Sequence, residues 1–354
     1  MARVFFALSA AAVLSSQALY TSAQAYEERS LSEAEAFEDL LVMREALEVV
    51  HPGFLRYETR DQINLDFDAL YAEAQSGTTD QSLYLAISEF LPKIRCDHTK
   101  AEMPESMVEH RNTVATHLPI RVGEFDGRVF VMTSVADGVE RGDEVISING
   151  VSAGQLLDEI LPYIPIDGYT DHARVDEFEY TTEFLGSGLD HFMPLLHGWS
   201  GAFALELNRD GNAEAVTVDA ITYPEFLEMV REEEDLARNF KDAVSVERVG
   251  DAAVLRIDTF VNYREPIDPF AKFTEVIRTL NEDGVEHLVV DLRRNGGGST
   301  EPTIALASHL IDQPMEIRSG DAQKVLRIPD SVRKNSTTWD WNSIDIEGRG
   351  YETW

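Results

Sequence analysis

An apolar strand followed closely by three glycines is the feature that most restricts how this chain folds. Val289–Asp291 reads as a buried strand, and an apolar helical pattern runs from Pro302 to Ile311. Between them lie Gly296–Gly298, which three residues separate from Leu292. Glycine loses more conformational freedom on folding than any other residue, so three in succession indicate a positive φ or the close approach of a ligand to bare N–H groups.

Two kinds of chemistry and one structural role fit such a turn. Amides in front of a helix can stabilise a developing negative charge, as an oxyanion hole does. A phosphate loop would need a Lys directly after the glycines, and none follows Gly298. A plain strand-to-helix turn is the third interpretation, and the segment alone leaves it open against the oxyanion hole.

The sequence before this turn alternates between strand and helix patterns. Ala252–Ile257 and His287–Asp291 are apolar strands, and Asp268–Leu280 between them has helical spacing. This order predicts a βαβ unit with a parallel sheet. An acidic helix is predicted at residues 225–241, within a linking segment at 221–245.

The first half of the chain shows two other patterns. Residues 26–117 are predicted to form a helical domain, in which Ser32 and Glu35 form a capping box. Residues 118–220 have strands of period two, including a hairpin around Asp210 and Gly211, and predict a mostly β module. The predicted helices are Leu31–Val50, Asn64–Ala74, Ser82–Ile94 and Ala153–Ile160, and the predicted strands are Leu118–Val122, Val129–Met132, Glu144–Ile148, Ala202–Asn208 and Ala213–Val218.

The N-terminal residues have the pattern of a secretory signal peptide. Arg3 precedes an apolar run from Val4 to Leu14, and Ala23-Gln-Ala25 has the small-x-small form that signal peptidase recognises. The apolar run is too short to span a membrane comfortably. We therefore expect cleavage after Ala25, export to a periplasm or the exterior, and no stable membrane insertion.

Composition excludes several partners. The chain carries 64 acidic and 30 basic residues, a formal charge of −34, so a nucleic-acid partner is not expected. Cys96 is the single cysteine, which rules out an intramolecular disulfide. No His, Asp or Glu cluster has metal-ligand spacing along the sequence, so neither a metal nor another cofactor is expected.

Against this background, the segment Asp291-Leu-Arg-Arg-Asn-Gly-Gly-Gly298 resembles the Asp-Leu-Arg-x-Asn-x-Gly-Gly signature of the S41 peptidases. These are the tail-specific or C-terminal processing proteases and their tricorn-core relatives. Ala253–Phe260 is similar to the strand that opens their catalytic core, and Gly142–Gly150 to a PDZ-domain stretch. Cys96-Asp-His-Thr99, preceded by His51-Pro-Gly53, resembles the Asp-Gly-His-Thr element of exported members.

This resemblance implies site residues and an activity. Gly296 and Gly297 match the glycines whose amides stabilise the tetrahedral oxyanion, and His98 matches the histidine that serves as general base and acid. Asp97 and Thr99 are in position to orient the ring. The other histidines that lack a matching motif are expected to be structural, and they are His51, His110, His117, His172 and His197.

The nucleophile of the family is missing from the sequence. It belongs in a Ser-Ala-x-Glu context after a further strand, and no serine downstream of the glycines has that context. The Lys of the Ser-Lys variant is also absent. We expect a chain truncated before that strand, rather than a relative that has lost activity. The serines considered are Ser299, Ser308, Ser319, Ser331, Ser336 and Ser343.

The expected fold is multidomain, α+β and α/β. It comprises the helical domain, a PDZ-like β module and a partial ClpP/crotonase-like ββα core with βαβ units at residues 246–354. The implied function is that of an exported serine endopeptidase acting on peptides or proteins through an acyl-enzyme. A non-catalytic peptide-binding or chaperone-like module is the alternative, and a small-ligand carrier is a third hypothesis.

Overall fold

The computed structural model describes residues 25–179, 184–233, 239–314 and 328–335. The chain divides into two compact units, one made of residues 1–230 with 322–350 and the other of residues 231–321 with 351–354. Apart from Ala25, the predicted signal peptide lies outside the described residues, as do Ser319, Ser336 and Ser343.

The first unit begins with four helices. The apolar spacing predicts the first three, and the fourth, at Glu105–Thr113, is not among the predicted elements. The capping box is confirmed, because the Ser32 hydroxyl accepts the Glu35 N–H and the Glu35 carboxylate accepts the Ser32 N–H. The last five residues of the predicted first helix, Ala46–Val50, form a π-helical turn. The helices are α1 (Glu33–Glu45), α2 (Arg60–Gln75), α3 (Asp80–Phe90) and α4 (Glu105–Thr113), and two short strands, β1 (Ser30–Leu31) and β2 (Thr78–Thr79), pair antiparallel beside them.

These helices bury their apolar faces in a common core. Phe67 and Leu40 are fully enclosed, and Phe54, Ile63 and Phe90 are almost so. Burying each such side chain stabilises the fold by about 1.5–3 kcal/mol. Cys96 lies against this core and is partly exposed.

The second half of the first unit is an antiparallel sheet with helices. The strand order is β3-β4-β5-β7-β8, with β6 paired to β5. The predicted hairpin is confirmed, since Arg209 pairs with Asn212 across Asp210 and Gly211, both of which have positive φ. The strands are β3 (Ile120–Phe125), β4 (Arg128–Ser134), β5 (Glu144–Ile148), β6 (Val151–Ser152), β7 (Ala202–Arg209) and β8 (Asn212–Asp219), and the helices are α5 (Ala153–Ile160), α6 (Ala173–Glu179) and α7 (Gly188–His197).

The acidic helix is shorter than predicted. It is α8, Tyr223–Glu233, whereas residues 239–242 form a bend and turn, and a strand starts at Val244. Phe226, Met229 and Val230 are buried along one face of α8. Within the part of α8 whose side chains the structure describes, the apolar stripe determines how the helix packs.

The second unit contains the predicted βαβ arrangement. Its three strands have the order β11-β10-β9, with β10 parallel to β11 and antiparallel to β9. Phe240, Leu255, Ile257 and Phe273 fill the core between the sheet and the helices. The elements are β9 (Val244–Val249), β10 (Ala252–Ile257), α9 (Pro269–Glu282), β11 (His287–Asp291) and α10 (Thr300–Leu310), and a single turn in the first unit is α11 (Asp330–Arg333).

Membrane-spanning length is a separate question from fold. Across the described ranges, every helix is too short or too polar to cross a lipid bilayer. The longest of the ranges given above is α2, at 16 residues, and about 20 apolar residues are needed for a span.

Candidate active site

The glycine turn begins at the carboxyl end of β11. Asp291 is the last residue of that strand, and Arg293 donates to both of its carboxylate oxygens at 2.9 Å. The hydrogen bonds from Arg293 lower the pKa of Asp291 to about 2. Because the Arg293 side chain is 87% exposed, we expect this pair to shape the turn more than to stabilise the fold.

Asn295 ties the turn to the neighbouring strand. Its Nδ2 donates to the carbonyl oxygen of Ile257 at 3.0 Å, and its Oδ1 accepts the Gly297 N–H at 2.8 Å. Ile257 ends β10, the strand beside β11. One carboxamide thus satisfies a backbone donor and a backbone acceptor that the turn would otherwise leave unpaired.

Gly298 allows two stretches of backbone to touch. Its φ is 138°, and a Cβ atom built there would lie 2.3 Å from the Phe260 carbonyl carbon. The Phe260 N–H donates to the Gly297 carbonyl at 2.8 Å, and the Ser299 N–H donates to the Phe260 carbonyl at 2.9 Å. The positive φ that the glycines predict is present at Gly297 and Gly298, and the close contact at Gly298 is with the chain's own backbone.

The two predicted oxyanion donors, the N–H groups of Gly296 and Gly297, differ in whether they already have a hydrogen-bond acceptor. The Gly297 N–H is engaged by Asn295, whereas Gly296 is exposed and its N–H has no hydrogen-bond partner within the described ranges. Neither glycine has an atom within 4 Å of a built Cβ position. The Gly296 amide is available to an anion, and the Gly297 amide would have to exchange the Asn295 oxygen for it.

Ser299 has a structural contact. It occupies the N-cap position of α10 without a side-chain capping hydrogen bond, and its Oγ accepts the Asn262 N–H at 3.1 Å. Asn262 in turn makes two hydrogen bonds of 3.0 Å with the Ile267 backbone. Ser308 donates to the carbonyl oxygen of Ala305, and Ser331 lies in α11.

His98 lies in the first unit, on a tight turn closed by a hydrogen bond of 2.9 Å from the Thr99 N–H to the Cys96 carbonyl. The residue is exposed, and its imidazole has no hydrogen-bond partner among the side chains and backbone that the structure describes. Gly296 and Gly297 lie in the second unit. The histidine is therefore available to a ligand from the solvent side.

A cleft of about 520 Å³ within the first unit includes His98 in its wall. Lys100 shares that wall, and its Nζ lies 3.7 Å from Asp97 Oδ1 and 5.9 Å from the centre of the Phe184 ring. The sequence comparison with the family did not single out Lys100. The lining residues are Asp97, His98, Lys100, Ala101, Glu102, Met103, Val108, Phe184, Leu185, His191 and Tyr223.

The wall of this cleft is backed by a buried histidine that the sequence did not reveal. His191 Nδ1 accepts the Leu185 N–H at 3.1 Å, and His191 Nε2 lies 2.7 Å from the Tyr84 hydroxyl. Burial keeps the pKa of His191 well below its ordinary value, so the ring is neutral. With Nδ1 accepting, Nε2 carries the proton and donates to Tyr84.

An arginine and an aspartate complete this buried network. Arg111 donates to the carbonyl oxygens of Asp190 and His191 at 2.7 and 2.6 Å. The Asp190 carboxylate accepts the Leu118 N–H at 2.8 Å and the Ser187 hydroxyl at 2.7 Å. Burial lowers the pKa of Arg111 to about 10 and raises that of Asp190 to about 6.

The histidines expected to be structural have various surroundings. His117 is fully enclosed, and its Nε2 lies 2.9 Å from the Leu185 carbonyl oxygen. His197 lies 2.9 Å from Glu159 and stacks on Trp199. His51 contacts Thr99, His110 packs edge-on against Tyr26, and His172 is exposed.

A group of potential metal ligands lies at the other end of the parallel strands. Exposed oxygen and nitrogen atoms of Asp251, Glu286 and His287 lie within 4.8 Å of one another. The first two residues precede β10 and β11, and pairing of these strands brings them together. Spacing along the sequence therefore could not show the group.

Comparison with known proteins adds one finding. Residues 251–338 match the model of peptidase family S41, and no curated protein matches the chain. The matched segment begins just before β10 and includes α9, β11, the glycine turn and α10. The match supports a peptidase. The chain therefore contains a peptidase family S41 domain at residues 251–338.

Proposed function

We propose that this chain supplies the oxyanion hole and the general base of an exported serine endopeptidase of tail-specific type. The observation that carries the proposal is the glycine turn between β11 and α10, which lies inside the matched S41 segment. It presents an exposed Gly296 amide without a partner in the described residues, next to a Gly297 amide held by one side chain.

The chemistry follows from where charge develops. When a serine attacks a peptide carbonyl, the carbonyl oxygen becomes an oxyanion, and preorganised N–H donors lower the barrier by about 3–4 kcal/mol per donor. Gly296 donates directly. Gly297 donates once the oxyanion replaces Asn295 Oδ1, a substitution favoured because an anion is the stronger acceptor.

His98 is the proposed base. Its exposed, unpartnered imidazole can accept the proton of the serine hydroxyl and return it to the leaving amine, which leaves an acyl-enzyme. The same imidazole then takes a proton from a water molecule that attacks the ester, and returns it to the serine oxygen as the acid product leaves. The proposed serine lies outside these 354 residues, because no serine downstream of the glycines has the Ser-Ala-x-Glu context. Ser299 is a poor substitute, since its Oγ already accepts a backbone N–H.

The other parts have proposed roles as well. Residues 118–220 would serve as a PDZ-like module that delivers a peptide, and the ββα and βαβ arrangement of the second unit as a ClpP/crotonase-like core. Export would follow cleavage after Ala25. The groups expected to contact the substrate are two backbone amides and an imidazole, none of them acidic. The large negative charge of the chain is therefore compatible with peptide binding.

Fluorophosphonate labelling tests the assignment of the nucleophile. We expect no labelling and no peptide hydrolysis from the 354-residue chain, and specific labelling of Ser299 would overturn the proposal. The coding sequence after residue 354 gives a second test. A strand followed by Ser-Ala-x-Glu would support the peptidase, and a stop codon there would favour the alternative.

That alternative is a peptide-binding module without catalysis, and one observation favours it. β8 is an outer strand of its sheet and its residues are mostly exposed, so one side of its backbone could pair with an added peptide strand. Nuclear magnetic resonance would distinguish the two functions. Shifts confined to β8 on peptide addition, without hydrolysis in any form of the protein, would support the binding module.

A further inference from the structure

The turn that presents His98 is held at both neighbouring residues. The hydrogen bond from the Thr99 N–H to the Cys96 carbonyl places Asp97 and His98 at the two central positions. The His98 ring itself has no partner among the described residues. Its position is therefore set through the backbone, and the contacts of Asp97 and Thr99 determine where the ring lies.

Asp167 holds the residue before His98. Its Oδ1 accepts the Asp97 N–H at 2.9 Å, although the two residues are 70 positions apart. The next residue reinforces the contact, because the Gly168 N–H donates to the Arg95 carbonyl at 3.0 Å and Arg95 Nη1 donates to the Gly168 carbonyl at 2.6 Å. Three hydrogen bonds thus join residues 167–168 to residues 95–97.

These bonds fix a backbone conformation that would otherwise be unfavourable. Arg95 has a left-handed conformation with φ of 56°, which residues other than glycine, asparagine and aspartate seldom adopt. The Arg95 guanidinium also lies 5.1 Å from the centre of the Tyr169 ring. The loop at 167–169 therefore stabilises the left-handed residue at which the chain turns towards His98.

His51 holds the residue after His98. Its Nε2 and the Thr99 hydroxyl share a hydrogen bond of 3.0 Å across 48 positions of sequence. A Cβ atom at Gly53 would lie 3.3 Å from His51 Cε1, so the glycine leaves room for the ring. The two sequence elements that resemble exported S41 members, His51-Pro-Gly53 and Cys96–Thr99, are thus joined by a direct hydrogen bond.

We propose that Asp167 and His51 are positioning residues that hold the His98 turn for proton transfer. A general base must be placed within about 0.5 Å of its productive position. Two clamps on the flanking residues, each from a distant part of the same unit, meet that demand without occupying the imidazole. The inference rests on the proposed role of His98 as the base. The effect of Asp167 and His51 on the His98 turn can nevertheless be measured without peptide hydrolysis.

The test uses nuclear magnetic resonance of the 354-residue chain labelled with ¹⁵N. Two readouts are followed, the exchange rate of the Asp97 amide and the imidazole signals of His98, which His98→Ala identifies. The variants are Asp167→Ala and Asp167→Asn, with Asp137→Ala as a matched control. Asp137 is exposed and lies outside the turn.

In Asp167→Ala we expect the Asp97 amide to exchange about tenfold faster and the His98 signals to broaden or shift. Asp167→Asn keeps an oxygen acceptor and should restore both readouts to near the wild-type values. A loss of global stability in Asp167→Ala would speed the exchange of protected amides throughout the unit, whereas loss of the contact alone affects the turn, and Asp137→Ala should change neither. Unchanged His98 signals in Asp167→Ala would overturn the positioning role of Asp167.

The second clamp has its own variants. His51→Ala should disturb the His98 signals, and His51→Gln, whose carboxamide can donate to or accept from the Thr99 hydroxyl, should restore them in part. His172→Ala is the control, because His172 is exposed. If His51→Ala and His172→Ala give the same His98 signals, His51 has no positioning role. Failure of the catalytic proposal would show separately, in a form of the protein that includes the nucleophilic serine, as peptide hydrolysis that survives His98→Ala.

Discussion

At the scale of single residues, the glycines of the turn have different roles. Gly298 is needed because the Phe260 backbone occupies the space of a side chain. Gly297 has φ of 102° and donates to Asn295, whereas Gly296 has open space around it and an exposed amide. Only the Gly296 position is free of internal constraint, and that freedom is what a ligand-binding donor requires.

Substitution of the glycines separates these roles. Gly298→Ala should destabilise the second unit by about 2 kcal/mol or more, because the new methyl group would meet backbone atoms that cannot rotate away. Gly296→Ala, the matched control, should change stability by less than about 0.5 kcal/mol. Urea unfolding followed by circular dichroism measures both, and equal losses would contradict this account of the turn.

Asn295 gives a second residue-scale prediction. Asn295→Ala leaves the Gly297 N–H and the Ile257 carbonyl without their partner, and it should cost about 1–3 kcal/mol. Asn295→Asp keeps the acceptor for Gly297 and loses the donor to Ile257, so we expect an intermediate loss. Unfolding midpoints would contradict the clamp if Asn295→Ala were as stable as wild type.

At the scale of elements, α9 depends on its N-cap residue, Asp268. The Asp268 carboxylate accepts the N–H groups of Phe270 and Ala271 at 2.9 and 3.1 Å, and Pro269 fixes the first helical φ. Asp268→Ala should therefore destabilise the second unit by about 1 kcal/mol, while Asp268→Asn, which also caps helices, should cost much less. Denaturant titration tests the pair, and an equal cost for both would argue against capping.

Elements with a clear apolar period were predictable from the sequence. The predicted strands Ala252–Ile257 and His287–Asp291 coincide with β10 and β11, and the predicted helix Asp268–Leu280 differs from α9 by one or two residues at each end. In these segments the local pattern and the tertiary packing agree. Their parallel pairing also placed the glycine turn correctly at the carboxyl end of the sheet.

Elements without such a period were missed. β9 is almost wholly exposed, and Glu247 and Arg248 interrupt the alternation that Val244 and Val246 begin, so the segment gives no sustained apolar signal. α7 contains Pro194, which argues against a helix, although Ser187 and Asp190 form a recognisable N-terminal cap. The network around His191 was missed with it, because its members come from α3, α4 and α7 and meet only in the folded unit.

At the scale of the whole molecule, a small set of buried titratable groups makes the stability of the fold depend on pH. Burial lowers the pKa of His117 to about 3 and that of His191 well below its ordinary value, while burial raises the pKa of Asp190 to about 6. In the unfolded chain these groups titrate near 6.5 and 3.9. The folded and unfolded states therefore bind different numbers of protons between pH 6.5 and 4.

Stability should fall with acidification in that range. Both histidines are protonated only in the unfolded state, so their contribution is present above pH 6.5 and lost as the pH falls, whereas Asp190 takes up a proton in the folded state and offsets about half of the loss. The net difference of about one proton corresponds to about 1.4 kcal/mol per pH unit.

Urea unfolding at a series of pH values measures this slope. His117→Gln removes one of the two histidines and should bring the slope near zero, while His172→Ala, at an exposed site, should leave it unchanged. A wild-type stability that is constant or rises from pH 6.5 to 4.5 would contradict the assignment of neutral buried histidines.

The central claim, that His98 is the base of an S41 serine peptidase, is tested most directly by peptide hydrolysis. The measurement uses a form of this protein that includes the nucleophilic serine. It compares kcat/KM and the unfolding midpoint of that form with those of its His98→Ala variant. We predict a loss of about 10³-fold or more at unchanged stability, as expected when a serine loses its base. Turnover retained by His98→Ala would contradict the claim.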